Sequence, residues 1–284
     1  MDLKKSYFLQ IHIAVLLFGG AGLFGKLINI SAGGIVLGRA ALASLFILLV
    51  QKIYGEKITL KRSKDSLIFL MMGAILAFHW TAFFQSIQLS TVAIGVVTFS
   101  TFPVFTSMLE PIVFDRKFRK LDFLLAIIAL TGVGLIVPSF DMKHHYTIGA
   151  LWGLASGASF AVLTLGSKKM MQNYSSNAIS LFQNSIAALL LSVFFYQDIF
   201  AGSRQDWIYL LILGILFTGI AHTLFINSMQ GMQAYTASLI ACLEPFYGII
   251  LAWFILNESP NSRMLIGGIM ILGVASYASL AERK

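Results

Sequence analysis

Apolar residues fall in ten long blocks along this chain, at 7–25, 33–50, 66–87, 91–114, 121–137, 148–167, 178–196, 207–229, 234–256 and 264–280. A helix needs about 20 mostly apolar residues to cross a bilayer, and each block comes close to that length. Runs such as 124–130 and 210–215 are continuously apolar, without the period-two alternation of a barrel strand. A helix also satisfies its own backbone polar groups inside lipid. The pattern predicts an all-α membrane protein of ten transmembrane helices.

The blocks repeat. Shifting the first half by 142 residues lays Phe18 on Phe160, Lys26 on Lys168, Thr81 on Thr223, Phe83 on Phe225, Gln88 on Gln230 and Pro103 on Pro245. Each half holds five blocks, an odd number, so the second half enters the bilayer from the opposite face. Two inverted-topology five-helix repeats are expected, at 1–138 and 148–284, joined by an outer hinge. Inverted repeats of this kind are the architecture of secondary transporters, with the substrate site near the midplane between them.

Composition agrees: 58% of residues are hydrophobic and 11% charged, which leaves no room for a soluble domain. The net charge of +8 raises the question of a nucleic-acid partner, but its distribution answers it. With the N-terminus placed inside, fifteen Lys and Arg fall on the inner side; Lys26, Lys143, Arg204 and Arg263 fall on the outer side, and Arg39 lies within the second block. The positive-inside rule then puts both termini in the cytoplasm. The surplus is a topology signal, and no nucleic acid is expected. The single Cys242 allows no intrachain disulfide. No cofactor or metal site is expected; the partners are a small-molecule substrate, the bilayer and protons as coupling ion, in a monomer or homodimer.

Polar groups at bilayer depth are costly and mark function. Glu244 precedes Pro245 in the ninth block, while its repeat mate is the apolar Phe102. A carboxylate there suits a proton or a substrate ammonium; a salt bridge to Arg39 or a hydrogen bond to Gln183 is the structural alternative. His79, Phe83 and Ser86 share one helical face beside Trp80, a titratable group with an aromatic wall. Phe18 and Phe160 are symmetric aromatics. The expected substrate-binding set is His79, Trp80, Phe83, Glu244, Phe18, Phe160 and Arg39. Glu244, Glu110, Pro103 and Pro245 are the expected coupling and gating residues, because proline removes an intrahelical hydrogen bond and kinks the helix. His222, past the middle of the eighth block, is a further candidate, with a bond to a backbone carbonyl as the structural alternative, and Lys26 and Lys168 read as lysines that reach water from span ends. Glycines at 149, 153 and 157, and at 19, 22 and 25, suit close helix packing.

Phe78–His79–Trp80–Thr81–Ala82–Phe83–Phe84, then Ser100–Thr101–Phe102–Pro103, Glu110–Pro111, Leu243–Glu244–Pro245, Asn257–Glu258 and Gly267 and Gly273 stand in an order and duplication that resemble tandem EamA-type domains of the drug/metabolite transporter superfamily. The resemblance covers nearly the whole chain. It implies an inner-membrane permease of ten helices, both termini cytoplasmic, with a central cavity and small metabolites as cargo, often amino acids and often exported. Asp115 stands where that family usually has a glutamate after the fourth span. The function expected is secondary active transport of an amino acid or related zwitterion by alternating access; another metabolite or an amphipathic drug is the alternative. Without a Walker A loop there is no ATP hydrolysis in the chain. Neither HExxH nor a serine–histidine pairing points to an enzyme, and no filter signature points to a channel.

Overall fold

The computed structural model describes residues 3–55, 59–115, 120–136, 141 and 143–282. Of the basic residues counted above, Lys57, Arg116, Lys117, Arg119, Arg283 and Lys284 lie outside the described residues, as do 137–140 and 142 of the hinge. The described chain is helical throughout, as α1 (Leu3–Ala21), α2 (Phe24–Leu27), α3 (Ala32–Tyr54), α4 (Ser63–Leu89), α5 (Val92–Phe99), α6 (Phe102–Phe114), α7 (Lys120–Ile136), α8 (His145–Met170), α9 (Ser176–Ala201), α10 (Arg204–Gly214), α11 (Ala221–Ser228), α12 (Ala234–Ala241), α13 (Glu244–Leu256) and α14 (Ser262–Glu282). A π-helical stretch, Ile215–Ile220, links α10 to α11.

Seven stretches are long and apolar enough to cross a membrane: Ser6–Leu27, Ala32–Tyr54, Ser63–Leu89, Val92–Phe114, His145–Met170, Ser176–Ala201 and Arg204–Ser228. Three of the ten expected spans fall short of that standard among the described residues. The fifth, α7, has 17 residues. Of the ninth and tenth, Glu244–Leu256 and Ser262–Val274 stand as shorter apolar helices.

The 142-residue shift reappears in the helix bounds. It carries α5 onto α12 and α6 onto α13 end for end. Thus the fourth and ninth spans are broken at equivalent places, Ser100–Thr101 and Cys242–Leu243, with Pro103 and Pro245 each in the first turn that follows. The expected kinks are full breaks, since a proline fits the start of a helix better than its interior. The same shift relates Asp115 and Asn257, the described non-glycine residues with positive φ (54° and 57°), each ending its helix in the left-handed conformation. Asp and Asn tolerate that region better than other side chains, so Asp115 is placed as a helix terminator.

Packing between the halves is reciprocal. α4 lies on α8 as α1 lies on α11, α5 meets α13 as α6 meets α12, and α3 packs on its own mate α9. Such exchange of partners is the mark of a two-fold relation. At its centre the two breaks touch: the Cys242 thiol donates to the Ser100 carbonyl at 3.5 Å, and those positions are repeat mates. Lys26 and Lys168 are half-buried at span ends and take on a second role: Lys26 donates to the carbonyls of Ser90 (2.8 Å) and Gln88 (3.5 Å), and Lys168 to those of Met232 (2.8 Å) and Met229. Each ammonium ties down the tight turn after the third or eighth span, where helix-end carbonyls lack partners.

A cross-repeat bond also anchors α4: the Tyr174 hydroxyl, between α8 and α9, donates to the Asp65 carboxylate at 2.7 Å. Burial, and then that carboxylate, push the Tyr174 phenol above its ordinary pKa.

The glycine stripe of α8 is a contact surface. A methyl group on Gly153 would overlap the Thr98 side chain, and one on Gly157 would sit 2.7 Å from the Phe99 carbonyl oxygen. Backbone at the α5–α6 break has no rotamer by which to yield. Gly157→Ala is therefore expected to cost about 1–3 kcal/mol, read as a fall of roughly 3–8 °C in apparent Tm in detergent.

Candidate functional site

The halves enclose a central hollow lined by Phe18, Ala21, Arg39, His79, Trp80, Phe83, Phe99, Phe160, His222 and Glu244. All seven residues of the expected substrate-binding set stand on it. His222, Phe99 and Ala21 join them. Its volume is about 30 Å³, room for one or two water molecules, far below the roughly 300 Å³ or more of a metabolite pocket. Two of its residues sit at broken helix ends: Phe99 closes α5 and Glu244 opens α13.

Arg39 is buried and comes from the middle of α3. Its Nε donates to Thr218 Oγ1 at 2.8 Å and an Nη to the Phe217 carbonyl at 3.4 Å. Both partners belong to the π-helical stretch. Thr218 Oγ1 in turn donates to the Leu213 carbonyl at 2.7 Å, five residues back. A π turn displaces carbonyls from their usual i−4 partners, which leaves oxygens for a guanidinium. The repeat-related stretch of α4 remains α-helical, and the mate of Arg39 is Leu181, so both features occur on one side only. The guanidinium also lies 4.1 Å from the Trp80 ring centroid and 5.3 Å from that of Phe84. A desolvated cation–π contact contributes about 2 kcal/mol. Arg39 is held, but its fork is not closed by a carboxylate.

Glu244 is 4% exposed, and its carboxylate has no hydrogen-bond partner among the described residues. Arg39 and Glu244 feel each other's charge, yet no ion pair within 4 Å joins them among the described residues. The expected alternative of a bond to Gln183 is also not made among the described residues: the Gln183 amide nitrogen, which would donate to a carboxylate, donates to Ser167 Oγ at 2.9 Å, and its oxygen receives His222 Nε2 at 3.0 Å. Glu244 occupies the first turn of α13, where the partial positive charge of the helix N-terminus favours an anion.

The histidines are fixed by neighbours. His79 Nδ1 meets Ser156 Oγ at 2.9 Å and the Ser156 carbonyl at 3.0 Å, and its ring stacks on Phe160 at 4.9 Å. His222 sets its ring edge against Trp80 at 5.4 Å. Trp80 and His222 are repeat mates, so position 80 and its equivalent face each other across the hollow. That pairing brings His222, a candidate by depth but left out of the expected binding set, onto the site in place of the backbone-bonded alternative. Its partner is a glutamine side chain.

The remaining coupling candidates stand elsewhere. Glu110 is buried in α6, and neither it nor Pro103 lines the hollow. Pro245 borders a separate, apolar hollow of about 520 Å³ between α13 and α14 with Trp253 and Met264. Thus Glu244 is the acid that the described structure brings to the centre, with a cation, two histidines and an aromatic wall.

Comparison with known proteins gives concordant results. The profile of the EamA-like transporter family matches the chain twice, at 5–137 and 147–279. The uncharacterized transporter YwfM of Bacillus subtilis (strain 168) is 29% identical over 98% of this chain and 95% of its own length. A second from the same organism, YxxF, is 26% identical over 94% and 88%. The S-adenosylmethionine uptake transporter of Rickettsia conorii is 22% identical over 85% of this chain and 81% of that protein. A solved structure superposes with a TM-score of 0.75 at 16% identity, covering 98% of this chain and 99% of the other; at that identity the likeness is one of fold.

Proposed function

We propose, from the premise that this chain belongs to the EamA-like transporter family, that it is a secondary transporter of an amino acid or a closely related zwitterion. The chain is a multi-pass membrane protein whose family and relatives are transporters and not enzymes. The single observation that carries the finer reading is the Glu244 carboxylate, without a hydrogen-bond partner among the described residues, facing the same hollow as the Arg39 guanidinium. A buried charge without a partner costs several kcal/mol, and a zwitterion settles both at once. Its ammonium meets Glu244 and its carboxylate meets the open edge of the guanidinium, which suits bidentate recognition. Phe18, Phe83, Phe99 and Phe160 surround the rest of the cargo. The relative named for S-adenosylmethionine uptake supports this reading, since that molecule carries an α-amino acid group.

In this account the two repeats, 1–138 and 148–284, are inverted five-span units of a ten-span bundle in the bacterial inner membrane, with both termini cytoplasmic. The halves rock about the touching breaks so that the hollow opens to one side at a time. Between cargo loads a proton on Glu244 replaces the ammonium, which couples flux to the proton gradient. Counterflow in proteoliposomes tests the proposal. Radiolabelled amino acid is expected to accumulate transiently and saturably in vesicles preloaded with the unlabelled compound. An absence of counterflow for every amino acid and zwitterion tried would overturn it.

A further inference from the structure

The two halves of the bundle differ in what lies between the central hollow and each membrane face. We infer that a polar seam through the second repeat is a water-filled proton route from the hollow to the face that holds both termini; this rests on the transport reading and on its orientation of the chain.

The seam starts at His222, on the hollow, whose Nε2 bonds to Gln183 Oε1. Gln183 Nε2 then donates to Ser167 Oγ at 2.9 Å. Beside them Thr223 donates to Ser180 Oγ at 3.0 Å. One turn further along α11, Asn227 joins Ser176 at 3.0 Å and Gln10 at 2.7 Å. Gln230 continues the seam to Asn227 and to the Tyr7 hydroxyl at the end of the bundle. Ser167, Ser180 and Gln183 are all buried. Two more buried polar atoms flank this line without a partner, Thr164 Oγ1 and Asn184 Oδ1. Buried polar atoms that protein leaves unsatisfied are where ordered water binds.

The repeat supplies an internal control. Shifting by 142 residues places Trp80 at the position of His222, Ala41 at Gln183, Gly25 at Ser167, Gly38 at Ser180, Leu42 at Asn184 and Gly22 at Thr164. At these positions that side is apolar and tight, although Thr81, the mate of Thr223, keeps a buried hydroxyl without a partner among the described residues. A methyl group on Gly25 would lie 2.9 Å from Ile87, and one on Gly38 would lie 2.9 Å from Leu210. A seam that only glued helices together would serve both pseudo-equivalent interfaces alike. Six buried positions that are polar in one half and apolar in the other instead set one half apart as the route that water would take.

The charged and titratable groups facing His222 at the head of the seam are Arg39, His79 and Glu244 across the hollow. Of these, Glu244 is the carboxylate that the seam would supply with protons. Its continuation past Ser167 ends near the Lys168 ammonium, which closes the inner turn and leaves water to enter around it.

The test is cysteine accessibility in a Cys242→Ala background, which removes the native thiol. Ser167→Cys and Ser180→Cys preserve the shape of the native side chain, and Ala41→Cys is the control at the apolar mate of Gln183. Membrane-impermeant methanethiosulfonate ethyltrimethylammonium is applied to sealed inside-out and right-side-out vesicles. Ser167→Cys and Ser180→Cys are expected to react at least ten times faster from the side of the termini than from the other, and Ala41→Cys to stay unreactive from both. If neither serine site reacts from that side, or if Ala41→Cys reacts equally from the opposite side, the route does not exist. Labelling needs no substrate. A failed route together with positive counterflow therefore removes this inference alone, whereas absent counterflow with one-sided labelling removes the transport reading.

Discussion

Arg39→Leu is expected to abolish saturable transport. Truncating one member of a buried charge pair costs about 2–5 kcal/mol, which corresponds to a loss of roughly 30-fold to several thousandfold in substrate affinity. Two contributions add. The substrate carboxylate loses its fork, and the Glu244 carboxylate loses the positive charge it faces across the hollow. Arg39→Lys separates them: it keeps the charge but loses the planar contact with Trp80 and the paired donors to Thr218 and Phe217. Lysine is not a substitute at a stacked, forked site, so affinity is expected to fall by roughly tenfold. Titration calorimetry on the purified variants reads both. The double variant Arg39→Leu, Glu244→Gln is expected to regain much of the thermal stability lost by Arg39→Leu without regaining transport, because the uncompensated charge is gone but so is the site.

Glu244→Gln is expected to flatten the pH dependence of flux. The substitution keeps the shape of the side chain at the start of α13 and removes its exchangeable charge. Substrate accumulation driven by a proton gradient should fall to the level of passive exchange, while the fold survives, since Arg39 keeps its bonds to the π-helical stretch. Initial uptake rates measured across the pH range in which carboxylates and histidines titrate give the comparison. His79→Gln serves as the control: a pH profile that follows His79 and ignores Glu244 would move the coupling role to the histidine. His79 is held through Nδ1 by Ser156 and stacked on Phe160, and the expected outcome is that its removal lowers the rate but leaves the profile in place.

Much of this arrangement was legible in the chain itself. Hydropathy located the helices because lipid tolerates few alternatives to a self-satisfied backbone. The internal repeat was legible because Pro103 and Pro245 recur at one offset, and the structure breaks both spans just ahead of them. Arg39, His79 and Glu244 were conspicuous because charge at bilayer depth is expensive, and all three stand on the central hollow. Other features were hidden for physical reasons. A lysine that reaches water and one that ties down a turn look alike in sequence, so the roles of Lys26 and Lys168 needed coordinates. The π-helical stretch Ile215–Ile220 comes from a one-residue change of register that leaves no compositional trace. Glu110, expected toward the inner end of the fourth span, stands two turns beyond the break on α6 and does not line the hollow. His222 stood out by depth, but its place opposite Trp80 came only from the crossing of the halves.

Recognition of both charges of one small molecule is the claim on which the rest stands, and a three-way competition in counterflow measures it. Proteoliposomes exchanging a labelled amino acid are challenged with that amino acid, with the amine lacking its carboxylate and with the acid lacking its ammonium. The account predicts that the intact zwitterion competes at least one hundred times better than either singly charged analogue, and that Arg39→Leu erases its advantage over the amine. Equal competition by the amine in the native protein would contradict it.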